Sequence, residues 1–217
     1  MRDELARLLA DAAQGRFPPA DGGVTILPQP SPRDAGVLDF TAHAVVFADV
    51  DPAWIRDRLP PGDLAAPMSP PFLTALCTAM GRRAGPVDLL CVAPALPGPP
   101  PLDLEPEPAA NHPRIARALN FRDEIRAWRA DGGVVLVGRG VAERWEVAVE
   151  VDPGRRARGL GRLLIRSARH LIPAKTHIWA QVAPGNAASV RAFLAAGFQP
   201  SGAEVLLTAS QTGRPRP

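Results

Sequence analysis

The sequence predicts an α/β protein: a mixed, largely antiparallel sheet flanked by helices, preceded by an N-terminal α/β region. Three observations carry this expectation. Short runs across residues 124–151 alternate apolar and polar side chains, as half-buried strands do. A strand–helix–strand unit follows, and then a further helix and strand, which makes a sheet of mixed direction. Turn signals such as Asp131-Gly132-Gly133 and Pro184-Gly185-Asn186 punctuate the runs.

In order along the chain, residues 2–13 read as an amphipathic helix, and 24–27 and 38–48 as strands. Helices follow at 52–59 and 71–80, then a strand at 87–93. The stretch "APALPGPPPLDLEPEPAANHP" (93–113) is rich in proline and acidic residues. Such a composition neither continues a helix nor pairs as a sheet, so it reads as a linker or long surface loop. A helix at 112–120 precedes strands at 124–130, 134–141 and 144–151, the last stopped by Asp152 and Pro153. The next helix opens near Gly159, with Leu160, Leu163, Leu164, Ala168 and Leu171 on one face. A strand at 176–183, a helix at 187–197 and a strand at 203–208 complete the pattern. The expected organisation is an N-terminal α/β region (1–95), a Pro-rich linker (96–111), a second domain (112–208) and a disordered tail (209–217). "VFADVDPAW" (46–54) echoes "VAVEVDPGR" (147–155), and "LLCVAP" (89–94) echoes "WAQVAP" (179–184). A degenerate duplicated unit and coincidence both account for these echoes.

Composition narrows the function. The chain has 217 residues, 46% of them hydrophobic, and a net charge of +3, which suits a globular core and not a bulk nucleic-acid binder. No apolar run reaches the ~18 residues of a membrane span, and the N-terminal helix lacks the apolar core of a signal peptide. Cys77 and Cys91 sit among apolar residues and read as free thiols, which places the protein in the cytoplasm. His43, His112, His170 and His177 are scattered without metal-ligand spacing, so no metal is expected. Trp145, Trp179 and His177 fall on the two strands around the 151–164 segment. The tryptophans read as core residues, either of which could also wall an acceptor site.

The segment "VDPGRRARGLGRLL" (151–164) carries the chemistry. It lies between a strand end and a helix start, where first-turn N–H groups are unpaired and the helix dipole favours an anion. Glycines bring the backbone close to a ligand, and neighbouring arginines add charge-assisted hydrogen bonds to phosphate. A Walker loop would need Lys and Ser/Thr where Arg162 and Leu163 stand, and a dinucleotide fingerprint would need a third glycine. A purely structural basic turn is the remaining alternative.

These residues also carry a resemblance. "VEVDPGRRARGLGRLLIRSARHL" resembles the acyl-CoA-binding motif of the GNAT superfamily of N-acyltransferases, with Val151, Pro153, Arg156, Gly159 and Gly161 in the motif places. "GNAASVRAFLAAGFQP" resembles its second motif, through Asn186, Ser189, Gly197 and Phe198. The resemblance covers residues 112–208. It implies the GNAT fold, in which a splayed central strand pair leaves a cleft for the pantetheine arm. It also implies acetyl-CoA, or another acyl-CoA, as co-substrate. The pyrophosphate would rest on Arg156, Ala157, Arg158, Gly159, Leu160 and Gly161, with Arg155 and Arg162 solvated. The pantetheine would meet Val149, Val151, Asn186, Ser189 and Phe193.

An acyl transfer needs a base for the amine, a donor for the carbonyl oxygen and a proton for the thiolate. An N–H near Val149 is the expected donor. Glu146 is the first-choice base and Glu150 the second, with Glu143 just before the strand. Many family members carry a tyrosine seven residues after the motif asparagine. Phe193 stands there, and the chain has no tyrosine at all. The hydroxyl of Ser189, or water, is left as the proton donor. The expected activity is N-acyl transfer, specifically N-acetyl transfer, to an amine on a small molecule or peptide, without nucleic-acid or membrane partners. A homodimer is a family-level expectation. The alternative is a catalytically weak acyl-CoA-binding or regulatory module.

Overall fold

A computed structural model describes residues 2–108 and 112–209; of the tail expected at 209–217, Ala209 instead ends the last strand, and residues 210–217, like linker residues 109–111, lie outside the described residues. The elements are α1 (Arg2–Ala12), β1 (Val24–Leu27), β2 (Gly36–Phe40), β3 (His43–Phe47), α2 (Pro52–Arg56), α3 (Pro70–Met80), β4 (Arg82–Ala84) and β5 (Asp88–Pro94). They continue with β6 (Glu105–Pro106), α4 (Pro113–Ala118), β7 (Asp123–Ala130), β8 (Gly133–Arg139), β9 (Trp145–Val151), α5 (Leu160–Ala168), β10 (His177–Val182), α6 (Ala187–Ala195) and β11 (Gln199–Ala209). The strands form one mixed sheet in the order β1-β3-β2-β11-β5-β10-β9-β8-β7-β6, with β4 on β11. Among the described residues β1/β3 and β9/β10 pair in parallel, and the other neighbours are antiparallel. The mixed, largely antiparallel α/β class read from the sequence is the class observed.

Three local features differ from expectation. Residues 38–48 are not one strand but parts of a hairpin, because Thr41-Ala42 turns the chain with Ala42 at φ +54°. No Gly or Asn marks that turn, so alternation ran straight through it. The proline-rich stretch does pair, since Glu105 and Pro106 lie opposite Arg129 and Trp128 at the sheet edge. An edge tolerates a missing N–H, and an ion pair from Arg129 Nε to Glu107 Oε2 (2.6 Å) secures the segment. The last strand begins at Gln199, earlier than residue 203, with a register shift between Pro200 and Gly202 that carries the proline in the ladder.

The expected division near residue 96 does not correspond to two sheets. Strand β5 lies between β10 and β11, antiparallel to both, so the first 95 residues supply a central strand to the sheet of the last hundred. Its neighbour β10 carries the "WAQVAP" echo of β5, and the two echoes are hydrogen-bonded partners, Cys91 opposite Ala180.

Packing follows the periodicities. Helix α5 buries Leu164, Ile165 and Ala168 against Val135, Val137, Val147 and Ile178. Helix α1 covers part of the sheet through Leu5 and Leu9, packed with Leu38, Leu90 and Trp179. Helix α3 closes the β1–β3 end with Phe72, Leu73 and Leu76. The short helix α4 sets Ile115 and Ala118 on Ala127 and Leu136. Each stripe removes apolar area worth roughly 25 cal/mol per Å² from water. Among the described residues no helix is long and apolar enough to cross a membrane.

Candidate active site

The site begins where two strands part. Strands β9 and β10 pair only at Trp145–Ile178 and Glu146–Trp179. Beyond that step β9 follows β8 as far as Val151 opposite Gly133, while β10 follows β5 as far as Val182 opposite Leu89. The facing backbone edges therefore go unpaired, which in a sheet interior calls for another partner. The wedge between them is a cleft of about 460 Å³, walled by Val147, Ala148 and Val149 on one side and Gln181, Val182 and Ala183 on the other. Asp88, Arg114, Arg117, Asn186, Ser189 and Phe193 also line it.

At the end of β9, Asp152-Pro153 break the strand into a single 3-10 turn, and α5 starts at Leu160 with no side chain capping it. Gly159 sits at φ +84° and Ala157 at φ +60°. The glycine answers a backbone requirement and not a shortage of room, since a Cβ there would meet nothing within 4 Å. The first-turn N–H groups, with the left-handed residues before them, are of the kind that can bind an anion, and they lie past the Val149 end of the cleft without lining it. Arg156 Nε donates to the carbonyl of Val151 at 3.2 Å, which ties the loop to the strand end. Arg158 and Arg162 are exposed. Arg155, expected to be solvated, is exposed and pairs with the exposed Asp131.

The second motif builds the opposite wall. Asn186 caps α6, its Oδ1 accepting from the N–H of Ser189 at 3.1 Å. Phe193 is buried and packs edge-on against Phe198, with ring centroids 5.0 Å apart. Neither Trp145 nor Trp179 lines the cleft. They flank its closed end, Trp145 beneath the Arg139 guanidinium at 3.9 Å and Trp179 beneath Arg144 at 5.4 Å. His177 lies at the far end of β10, opposite Pro94, and its burial holds the imidazole below its usual value.

The apex of the cleft is an ion network. Glu146, 1% exposed, accepts from Arg144 Nε at 2.8 Å, Arg122 Nε at 2.9 Å and Gln181 Nε2 at 2.9 Å. Burial alone would raise its carboxyl, but Arg144 and Arg122 outweigh burial and hold it below the ordinary range. Arg144 Nη2 and Gln181 Nε2 also reach Glu204 Oε2, at 2.8 and 3.1 Å. Glu204 is 1% exposed and lines the cleft, and among the described residues its Oε1 has no hydrogen-bond partner. The first-choice base is thus a carboxylate saturated by three donors and held ionised, which suits a fixed counter-charge better than proton transfer. Glu150 and Glu143 do not line the cleft.

Four residues of this site escaped sequence reasoning: Asp88, Arg122, Arg144 and Glu204. Asp88 is half-buried on β5, opposite Glu204 on β11. Its carboxyl is pushed up to about 6 by burial and by the charge of Glu204, against the pull of Arg117. The one signal available was "PVDLL", a carboxylate opening an otherwise apolar strand.

Residues 108–198 match the model described as the Acetyltransferase (GNAT) family. Several solved structures are similar to the chain. One is a GCN5-related N-acetyltransferase from Kribbella flavida, 16% identical, covering 65% of this chain and 65% of that one, with a TM-score of 0.41. An acetyltransferase from the GNAT family from Colwellia psychrerythraea is 12% identical, covers 62% and 60%, and has a TM-score of 0.37. A tandem GNAT protein from the clavulanic acid biosynthesis pathway is 15% identical, covers 67% and 61%, and has a TM-score of 0.39. In each case the chain spans less than two thirds of the solved chain's length. No curated protein matches the chain.

Proposed function

We propose that this protein is an N-acyltransferase, with acetyl-CoA as its first co-substrate and an amine as acceptor, a reading supported by the match of residues 108–198 to the GNAT acetyltransferase family model. The observation that carries this reading is the pairing of a splayed strand pair with an uncapped, glycine-opened helix start at the end of the same strand. The two features together suit a long, flexible ligand with an anionic middle. The cleft's open backbone edges fit an amide-bearing arm, and the nest at 156–161 fits a pyrophosphate. When bound, acyl-CoA supplies a thioester carbonyl and a thiolate leaving group.

The chain's own residues divide the remaining work. The first-turn N–H groups of α5, with Arg156 and Arg158, hold the pyrophosphate. The unpaired edge of β9 at Val149 and Val151 holds the arm, and an N–H near Val149 polarises the thioester carbonyl as charge develops there. Asn186, Ser189 and Phe193 form the facing wall. The Ser189 hydroxyl is the residue-borne donor for the leaving thiolate. Holding both reactants in one closed wedge supplies much of the rate through proximity.

The test is calorimetric titration with CoA, followed by CoA release from acetyl-CoA across a panel of amines. Binding with amine-dependent release is expected, and absence of CoA binding overturns the reading. One observation favours a second reading, an acyl-CoA-binding module: Phe193 replaces the phenol that many family members use as proton donor. Tight CoA binding without turnover on any amine would favour that module.

A further inference from the structure

We propose that Asp88 and Glu204 form the ammonium end of the acceptor site, and that Asp88 is the general base that takes the acceptor's proton. The proposal rests on the acyltransferase reading and adds a base and an acceptor charge to it. Asp88 and Glu204 are Cα partners on the antiparallel strands β5 and β11. Side chains of such partners lie on one face, ~5 Å apart at Cβ, where like charges repel. Both residues line the cleft. Among the described residues no hydrogen bond or ion pair reaches the Asp88 carboxylate. Glu204 spends only Oε2, on Arg144 and Gln181, and leaves Oε1 buried without a donor.

A buried acceptor atom without a donor is costly, and a like-charged neighbour adds to the cost. A protonated primary amine relieves both at once, because it brings three donors and a positive charge. A neutral acceptor can donate to Oε1 but leaves the carboxylates' repulsion in place, and an anionic one adds to it. The network also separates the roles of the carboxylates. Glu146 is locked by Arg144, Arg122 and Gln181, whereas Asp88 is free to accept a proton. Its carboxyl, pushed up to about 6, is matched to proton transfer near neutral pH. The charged groups facing Asp88 are Glu204 from β11 and Arg117 from α4, with Arg114, Arg122 and Glu146 on the same cleft.

The acceptor enters as R–NH3+, and Asp88 takes one proton, leaving R–NH2 and a neutral carboxyl. The nitrogen lone pair forms a C–N bond at the thioester carbon, and the C–S bond breaks with its electron pair on sulfur. The second nitrogen proton passes to the thiolate through Ser189, giving amide and CoA-SH, and Asp88 returns its proton to solvent.

The test uses the full chain with acetyl-CoA and n-butylamine, benzylamine, glucosamine or lysine methyl ester. Asp88→Asn is expected to lower kcat at pH 7 by about 100-fold or more, with CoA affinity unchanged. In the unsubstituted protein kcat/KM should rise with pH through a limb near 6. With n-butylamine the variant should lose that limb and regain rate only as the pH approaches the amine's own pKa, about 10, where the amine deprotonates unaided. Asp88→Glu should restore part of the rate. Calorimetric amine titrations, run with and without CoA, read the site independently of turnover. Asp88→Asn and Glu204→Gln should each weaken amine binding about tenfold or more. Unchanged rate and pH limb in Asp88→Asn, equal amine binding by that variant, or no binding of any panel amine overturns the proposal. Failure of the unsubstituted protein to bind CoA overturns the acyltransferase reading instead.

Discussion

Glu146 and Trp179 are partners at the last paired step between β9 and β10, so a buried carboxylate sits where the strands part. Arg144 joins that carboxylate to Glu204, and thereby ties β9 to β11 across the two strands between them. The network is therefore part of the sheet's construction as well as of the site.

Arg144→Met should be costly. It leaves Glu146 with one guanidinium and Glu204 with only Gln181, both buried. Uncompensated buried charge of this kind costs about 3–5 kcal/mol. A lower urea midpoint at pH 7 with an unchanged slope is the expected result. The difference should shrink in acid as the carboxylates protonate.

Gly140→Ala reaches the same network from the backbone. A Cβ at this position would lie 2.2 Å from the Glu146 carboxylate, which is pinned and cannot swing away cheaply. The expected outcome is a loss of about 2 kcal/mol or more, measured by thermal unfolding. Gly98→Ala makes a contrast: it meets nothing within 4 Å, so only its φ of +79° is at issue. It should cost about 1 kcal/mol.

Gly159→Asp should separate ligand binding from folding. Space is open at this position, so the strain of a side chain at φ +84° should cost only about 1–2 kcal/mol. The carboxylate, in contrast, faces the nest where an anion is to bind. CoA affinity is expected to fall at least about 100-fold with far-UV circular dichroism unchanged. Unaltered affinity in the folded variant would refute the assignment of residues 156–161 to the pyrophosphate.

Asp88→Asn should stabilise the protein, and only above a certain pH. The folded carboxyl is pushed up to about 6 from an ordinary aspartate value of 3.8. Above pH 6 the native state must carry the charge in an unfavourable place, so stability is lost there relative to a neutral group. The penalty builds between pH 3.8 and 6 and is absent well below that window, where both states hold the proton. For a half-exposed group screening leaves about 1 kcal/mol of the effect. A melting temperature raised at pH 8, with the difference shrinking as the pH is lowered through that window, is the expected pattern. Gains of function by removing a base are not expected, so stability should rise as turnover falls.

The strands and helices of residues 123–195 were legible because their signals are local. Alternation in "EIRAWRA" and "RWEVAVEV", the Asp152-Pro153 stop and the Leu164/Ala168 stripe each act within a few residues. The turn at Thr41-Ala42 was not legible, because nothing in those side chains announces a positive φ. Which carboxylate acts as base was not legible either, for a different reason. Glu146 and Asp88 are both carboxylates at strand starts, and their chemistry depends on which arginines arrive from residues 122 and 144 and which carboxylate from residue 204.

The sequence by itself determined the class of fold, the glycine loop at 156–161 and the cap at Asn186, since each rests on bonding within one turn or one strand. Only the tertiary structure decided that β5 enters the middle of the sheet beside β10 and β11. That placement sets Asp88 against Glu204 and leaves Glu146 to the arginines. Strand order is fixed by burial and pairing between residues a hundred positions apart, and a carboxylate's protonation follows from the charges so assembled, which no local pattern records.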